Sequence, residues 1–243
     1  MRINKRILFT RLWAPVLLTM LFWLPSQEAR AQYAMGNTGL LNIPTADMQE
    51  EGTFMAGGNY LPDGMTPFQY NTGNYFVNIS FLSFVELSYR CTLLKTRRYD
   101  GKRGYYQQDR SMTARIRPLK EGRWNPSLMI GVDDPFKNTG NNYFATAYGA
   151  LTKGFSLMKG DRLALTAGYY IPLNDYTVKD GPFCGVSYSP AFCREVSLMA
   201  EYDSEGFNMG VAGRVWKHLS LHLFTREFNC ISGGIRYECR LLH

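Results

Sequence analysis

The chain has 243 residues, 45% of them apolar, with 27 Lys and Arg against 20 Asp and Glu for a formal net charge of +7. Residues 1–31 hold five of the basic residues and one acidic residue, so residues 32–243 carry 22 and 19 and are nearly neutral, which excludes the basic face that a nucleic-acid-binding domain needs. No segment after residue 31 reaches 18 uninterrupted apolar residues, which excludes a protein that crosses a membrane by helices.

The first element is an export signal. Arg2, Lys5, Arg6 and Arg11 precede an apolar run over residues 12–25, and Ala29-Arg30-Ala31 gives the small-x-small pattern of signal peptidase I. Cleavage is expected before Gln32, so residues 1–31 form a cleavable signal peptide. No Cys follows at a lipobox position. Residues 32–52 form a segment ahead of the first strand, either a periplasmic lead-in or a plug. Its glycines permit tight turns or positive φ, and Pro44 disfavours helix at Ile43.

From residue 53 to residue 243 the pattern is short runs with period two, the mark of strands. Val85, Leu87, Tyr89, Cys91 and Leu93 oppose Glu86, Ser88, Arg90 and Thr92; Met112, Ala114 and Ile116 oppose Ser111, Thr113, Arg115 and Arg117. Similar alternation occupies 162–169, 195–202, 207–215, 219–223 and 235–241, and weaker candidates lie near 53–60, 73–81, 125–133, 142–152 and 182–188. Turn signals such as Pro62-Asp63-Gly64, Asp100-Gly101 and Lys179-Asp180-Gly181 separate them. The count is about twelve strands and the fold class is all-β, either an antiparallel transmembrane barrel or a soluble sandwich. Three features favour the barrel. The polar faces carry charges that can pair in a filled lumen. Tyr60, Tyr75, Phe76, Tyr89, Tyr143, Tyr169, Tyr170, Tyr188, Tyr202 and Tyr237 lie near strand ends, as an interfacial girdle requires. An amphipathic strand occupies 231–241, although the last residue is His243 rather than an aromatic.

Two stretches go beyond pattern. Gly36, Gly39, Leu40, Pro44, Thr45, Ala46 and Gly52 spell an opening that resembles the G-x-x-G-L-x-x-x-P-T-A-x-x-x-x-x-G start of YjbH-like outer-membrane proteins. Gly131, Asp134, Thr139 and Gly140, followed by a Tyr/Phe-rich strand, are similar to a second segment of that family. The resemblance implies a Gram-negative outer-membrane barrel linked to exopolysaccharide production or export. It also implies a single barrel unit here, since full-size members are longer. The implied partners are outer-membrane lipid, polysaccharide and export-machinery proteins, without nucleic acid.

Candidate chemistry is sparse. Glu86, Arg90, Arg115, Arg117, Glu201, Arg214, Arg236 and Glu238 are expected to form a polar network in the lumen. His218, Ser220 and His222 share one strand face, but neighbours two apart lie about 6.5–7 Å apart between Cα atoms, so a catalytic hydrogen bond needs favourable rotamers. Asp133 and Asp134 precede Pro135 and suit turn chemistry more than paired acid–base work. Cys184 and Cys193 flank a turn, either bonded or as plain strand residues. No cofactor or metal is expected, and a non-enzymatic accessory barrel is the leading reading. A structural or adhesive barrel and a lipid- or sugar-modifying enzyme are the alternatives.

Overall fold

The computed structural model describes residues 33–136, 142–157, 160–175 and 177–241. The expected signal segment lies outside the described residues, as do Thr139 and Gly140. Twelve strands close into one barrel: β1 (Thr53–Leu61), β2 (Thr72–Leu82), β3 (Val85–Arg97), β4 (Arg103–Leu119), β5 (Ser127–Asp133), β6 (Thr146–Ser156), β7 (Arg162–Pro172), β8 (Gly181–Ser189), β9 (Val196–Tyr202), β10 (Phe207–Trp216), β11 (Leu219–Arg226) and β12 (Cys230–Arg240). Each strand pairs antiparallel with its sequence neighbours, and β1 closes on β12 from Thr53↔Arg240 to Tyr60↔Gly233. Closure leaves no unpaired edge, the requirement for a sheet in hydrocarbon.

The alternation read from the sequence is the wall's inside–outside code. Leu87, Met112, Ile130, Leu165, Leu198, Leu223 and Ile235, from seven strands around the wall, are exposed on the outer surface. Inward residues of the same strands are polar and buried: Glu86, Ser111, Asp133, Thr166, Ser197, His222 and Arg236. An apolar band of this extent outside a polar interior inverts a soluble protein and matches a barrel in lipid. Three aromatic residues depart from the girdle expectation. Phe76 and Tyr170 are buried and point inward, and Tyr143 lies in the β5–β6 connection, packed edge-on against Phe68 at 4.9 Å. Phe76 shares the face of Asn74 and Asn78, so strand parity, not residue type, decides its side.

The two rims differ. The rim where β1 begins and β12 ends has connections that run from the two-residue turns 83–84 and 217–218 up to 120–126. The opposite, distal rim carries the longer connections 62–71 and 134–145 and the β3–β4 hairpin.

Candidate functional site

The interior is occupied by the chain's own residues 33–49. Tyr33, Leu41, Ile43 and Ala46 have no exposed surface, although the segment forms isolated β-bridges, Gly39 to Pro44 among them, and no strand. A segment without a ladder must satisfy its backbone polar groups some other way. Here turns within the segment, such as Ala34 N–H to Leu41 O and Leu40 N–H to Ile43 O at 2.9 Å, share the task with the wall's side chains. Near the distal rim, the Asn59 and Asn74 amides donate to the Ala34 carbonyl at 2.9 and 2.8 Å. Thr38 then reaches the start of β3, where its N–H donates to Glu86 Oε1 at 2.9 Å. Leu41 and Asn42 return to the end of β9, and both backbone N–H groups donate to the Glu201 carboxylate, at 2.9 and 2.5 Å. Finally Ala46 lies by the first residue of β5, its carbonyl accepting from Ser127 Oγ at 3.0 Å and its N–H donating to Thr152 Oγ1 at 2.8 Å. The inner segment thus zigzags through the lumen before turning at Gly52 into β1.

Arg115 fastens the lower half. Its guanidinium donates to the carbonyls of Thr38, Thr45 and Asp47, the last two at 2.7 and 2.6 Å, and pairs with Glu86 at 3.4 Å. Both ionic side chains are fully buried. Such a pair is retained only where extra hydrogen bonds offset desolvation, and the three carbonyls provide them. Lys179, in the β7–β8 connection, fastens the upper half. Its ammonium donates to the Asn42 carbonyl at 2.6 Å and to Tyr33 Oη at 3.0 Å. Burial pulls the Lys179 ammonium down, but Tyr33 and Asp203 outweigh it and hold the group above its ordinary value. Burial pushes Asp203 up, but Lys179 and a hydrogen bond from Asn208 outweigh it and hold the carboxylate below its ordinary range. Asp203 also accepts from the Asn42 amide at 2.5 Å.

Two glycines make room. Gly36 has φ +93°, and a Cβ there would lie 2.6 Å from the Phe76 ring. On β8, a Cβ at Gly185 would meet Leu40 Cδ1 at 2.6 Å and Ile43 Cδ1 at 2.9 Å. Between the segment and the β6–β9 wall a cavity of about 100 Å³ remains, lined by Asp47, Glu121, Thr152, Arg162, Ser187 and Ser197 among others.

The candidate residues sort as follows. Gly36, Gly39, Leu40, Pro44, Thr45 and Ala46 all lie in the inner segment. Gly52 makes the turn at φ +75°, its N–H donating to Ser80 O at 2.7 Å. Gly131 faces inward against Tyr148. Asp134 lies in the distal connection at φ +49°, and burial, with Asp109 beside it, pushes its carboxyl up to about 6. The expected polar network is not one network. Glu86 with Arg115, and Glu201 alone, hold the inner segment. Arg90 donates to Met35 Sδ and to Ser111 Oγ and lies 4.5 Å from the Phe144 ring. Arg214, Glu238 and Arg236 form a separate cluster on β10 and β12. Arg117 departs from the expectation: it stands at the terminal rim, donating to Ser83 O at 2.6 Å, because β4 there has passed the lumen and meets the β2–β3 turn.

The other candidates assemble no site. Ser220 and His222 are buried inward, and among the described residues neither Ser220 Oγ nor His222 Nε2 has a hydrogen-bond partner. His218 Nδ1 lies 2.8 Å from the Glu238 carbonyl. Asp133 accepts from Thr113 Oγ1 at 2.7 Å, away from any paired role with Asp134. All five cysteines are free; Cys184 is exposed on β8 and Cys193 lies in the following turn, so no bond joins them. Asp203, Asn42, Asn59 and Asn74 went unread in the sequence, and Lys179 was read only as part of a turn. The inward Asn74-Phe76-Asn78 row was the available signal for Asn74.

A closed twelve-stranded antiparallel barrel, lipophilic outside and polar within, defines an outer-membrane β-barrel protein. The model of the YjbH family, described as exopolysaccharide biosynthesis protein YbjH, matches residues 31–171, more than half of the chain. The chain belongs to that family. Among curated proteins none matches it. Solved structures include a crystal structure of an outer membrane channel from Pseudomonas putida F1, at 10% identity and TM-score 0.42, covering 82% of this chain and 98% of that one. Another is the Salmonella typhi outer membrane phospholipase (OMPLA) dimer with bound calcium, at 9% identity and TM-score 0.33, covering 76% and 88%.

Proposed function

We propose that this protein is a non-enzymatic accessory barrel for exopolysaccharide export in the cell outer membrane, and that residues 33–49 are a plug that keeps its lumen closed at rest. One observation carries the reading. Six of the seven residues that resemble the family's opening motif are packed in the lumen, and each pass of that segment is held by a buried side chain of the wall or of a connection folded over it. The shorter connections of the terminal rim suit the periplasm, and the longer distal connections suit the cell exterior. The plug then meets periplasmic components from below, where the Asp47 cavity opens a first polar foothold. Polysaccharide and export-machinery proteins are the partners this arrangement serves, with outer-membrane lipid around the wall.

The test is chromosomal deletion with quantification of surface exopolysaccharide. A marked fall, restored by the full chain, supports the proposal. Unchanged polysaccharide refutes it and leaves the structural or adhesive barrel as the better reading.

A further inference from the structure

The distal rim carries one element that the plugged barrel does not use. The β3–β4 hairpin outgrows its neighbours: β2 pairs with β3 only as far as Thr92, and β5 pairs with β4 only from Thr113. Beyond Thr92 the hairpin continues as a two-stranded ribbon to the Arg97↔Arg103 pair. Five residues of strand rise about 16 Å at about 3.3 Å each. The tip therefore stands beyond the ends of β2 and β5.

The ribbon's chemistry is one-sided. Lys95, Arg97, Arg98, Lys102 and Arg103 are all exposed, and among the described residues none of them forms an ion pair. The sole acid between them, Asp100, accepts the Lys102 backbone N–H at 3.1 Å in the turn. Four of the other distal connections expose acids, Asp63, Asp175, Asp180, Glu205 and Glu227, of which Glu205 is paired with Arg226 at 3.3 Å. A polyanion at this rim is repelled by the far side and drawn to the hairpin. Aromatic faces stand among the cations. Tyr99 is fully exposed, and the Lys95 ammonium lies 5.5 Å from the Tyr70 ring and 5.3 Å from the Tyr105 ring. Tyr105 Oη donates to the Asn71 carbonyl and Tyr70 Oη accepts the Lys95 N–H at 2.9 Å, so this cluster is fixed to the β1–β2 connection.

We infer that the β3–β4 hairpin binds an anionic polysaccharide, its carboxylate or other acidic groups paired with the five cations and its sugar rings lying on the tyrosine faces. The occupant is a glycan chain rather than a lipid headgroup, because the cations stand beyond the ends of β2 and β5 and the rings beside them offer flat apolar faces for sugar C–H groups. The inference rests on the exopolysaccharide reading and adds to it the charge class of the polymer and where it is held.

The experiment uses the full barrel in lipid nanodiscs, with alginate as an acidic glycan and dextran as a neutral one. The variant is the quintuple K95Q, R97Q, R98Q, K102Q and R103Q chain, with Glu227→Gln as the control. Heat-shifted gel mobility verifies that each variant is folded. The expected result is alginate binding that weakens with salt, dextran binding at least tenfold weaker, and a loss of tenfold or more in the quintuple variant but not in the control. Equal dextran binding, absent alginate binding, or alginate binding unmoved by the five substitutions overturns the inference. Hairpin-dependent capture of lipopolysaccharide vesicles with no alginate binding also overturns it, in favour of a lipid surface. A strain whose deletion depletes polysaccharide while these assays fail retains the export reading and loses only this one.

Discussion

Replacing Arg115 with Met tests whether the inner segment is held by the wall or merely lies within it. The substitution keeps an unbranched side chain of moderate volume but removes the donors to the Thr38, Thr45 and Asp47 carbonyls. It also strands the Glu86 carboxylate, which is fully buried and still accepts from Thr38 and Asn78. Breaking a buried pair by deleting one partner costs about 3–5 kcal/mol. The barrel wall should survive, because its strands are joined by backbone ladders on both sides. The cost therefore falls on the segment, and about 3–5 kcal/mol raises the population of its displaced form roughly 100- to several-thousand-fold. Hydrogen exchange over residues 36–47 should accelerate by that order in the variant, and planar-bilayer recordings should show openings that the parent chain lacks. The double variant Arg115→Met with Glu86→Met should recover part of the loss, since no buried charge is left unpaired. Unchanged exchange over 36–47 in the single variant would refute the reasoning.

Three further outcomes follow from the same contacts. Gly36→Ala forces a Cβ against Phe76 at φ +93° and should cost the segment about 2–4 kcal/mol from left-handed strain and overpacking together, read as faster exchange around residue 36. Lys179→Met removes the donor to Tyr33 and Asn42, and should loosen residues 33–42 while leaving 45–49 protected, a split that proteolysis with mass spectrometry resolves. Asp134 is held up to about 6, so the folded barrel binds its proton more tightly than the unfolded chain does. That contribution is complete below about pH 4 and is lost as pH rises through about 6. The midpoint of heat-shifted gel mobility should fall over this window, and Asp134→Asn should flatten the fall.

The wall was legible because period two maps directly onto lipid and lumen: Leu87 against Glu86, and Met112 against Ser111, keep the sides that their alternation assigns. The inner segment was legible as a motif but not as a place. Its backbone partners are Glu86, Arg115, Lys179 and Glu201, which lie far along the chain and carry no local mark of a partner. Lys179 reads as part of a turn, yet the connection folds back and buries its ammonium. Tyr170 and Phe76 read as girdle residues by type and turn inward by parity. Arg117 has the inward parity and still misses the lumen, because it stands at the rim end of β4. Alternation gives a side, and only the strand's register gives a depth.

The most direct test of the export role is where the polymer goes when the barrel is gone. In a deletion strain, exopolysaccharide should fall in the medium and rise in the periplasm, and the full chain should reverse both changes. Equal amounts in medium and periplasm before and after deletion would contradict the account.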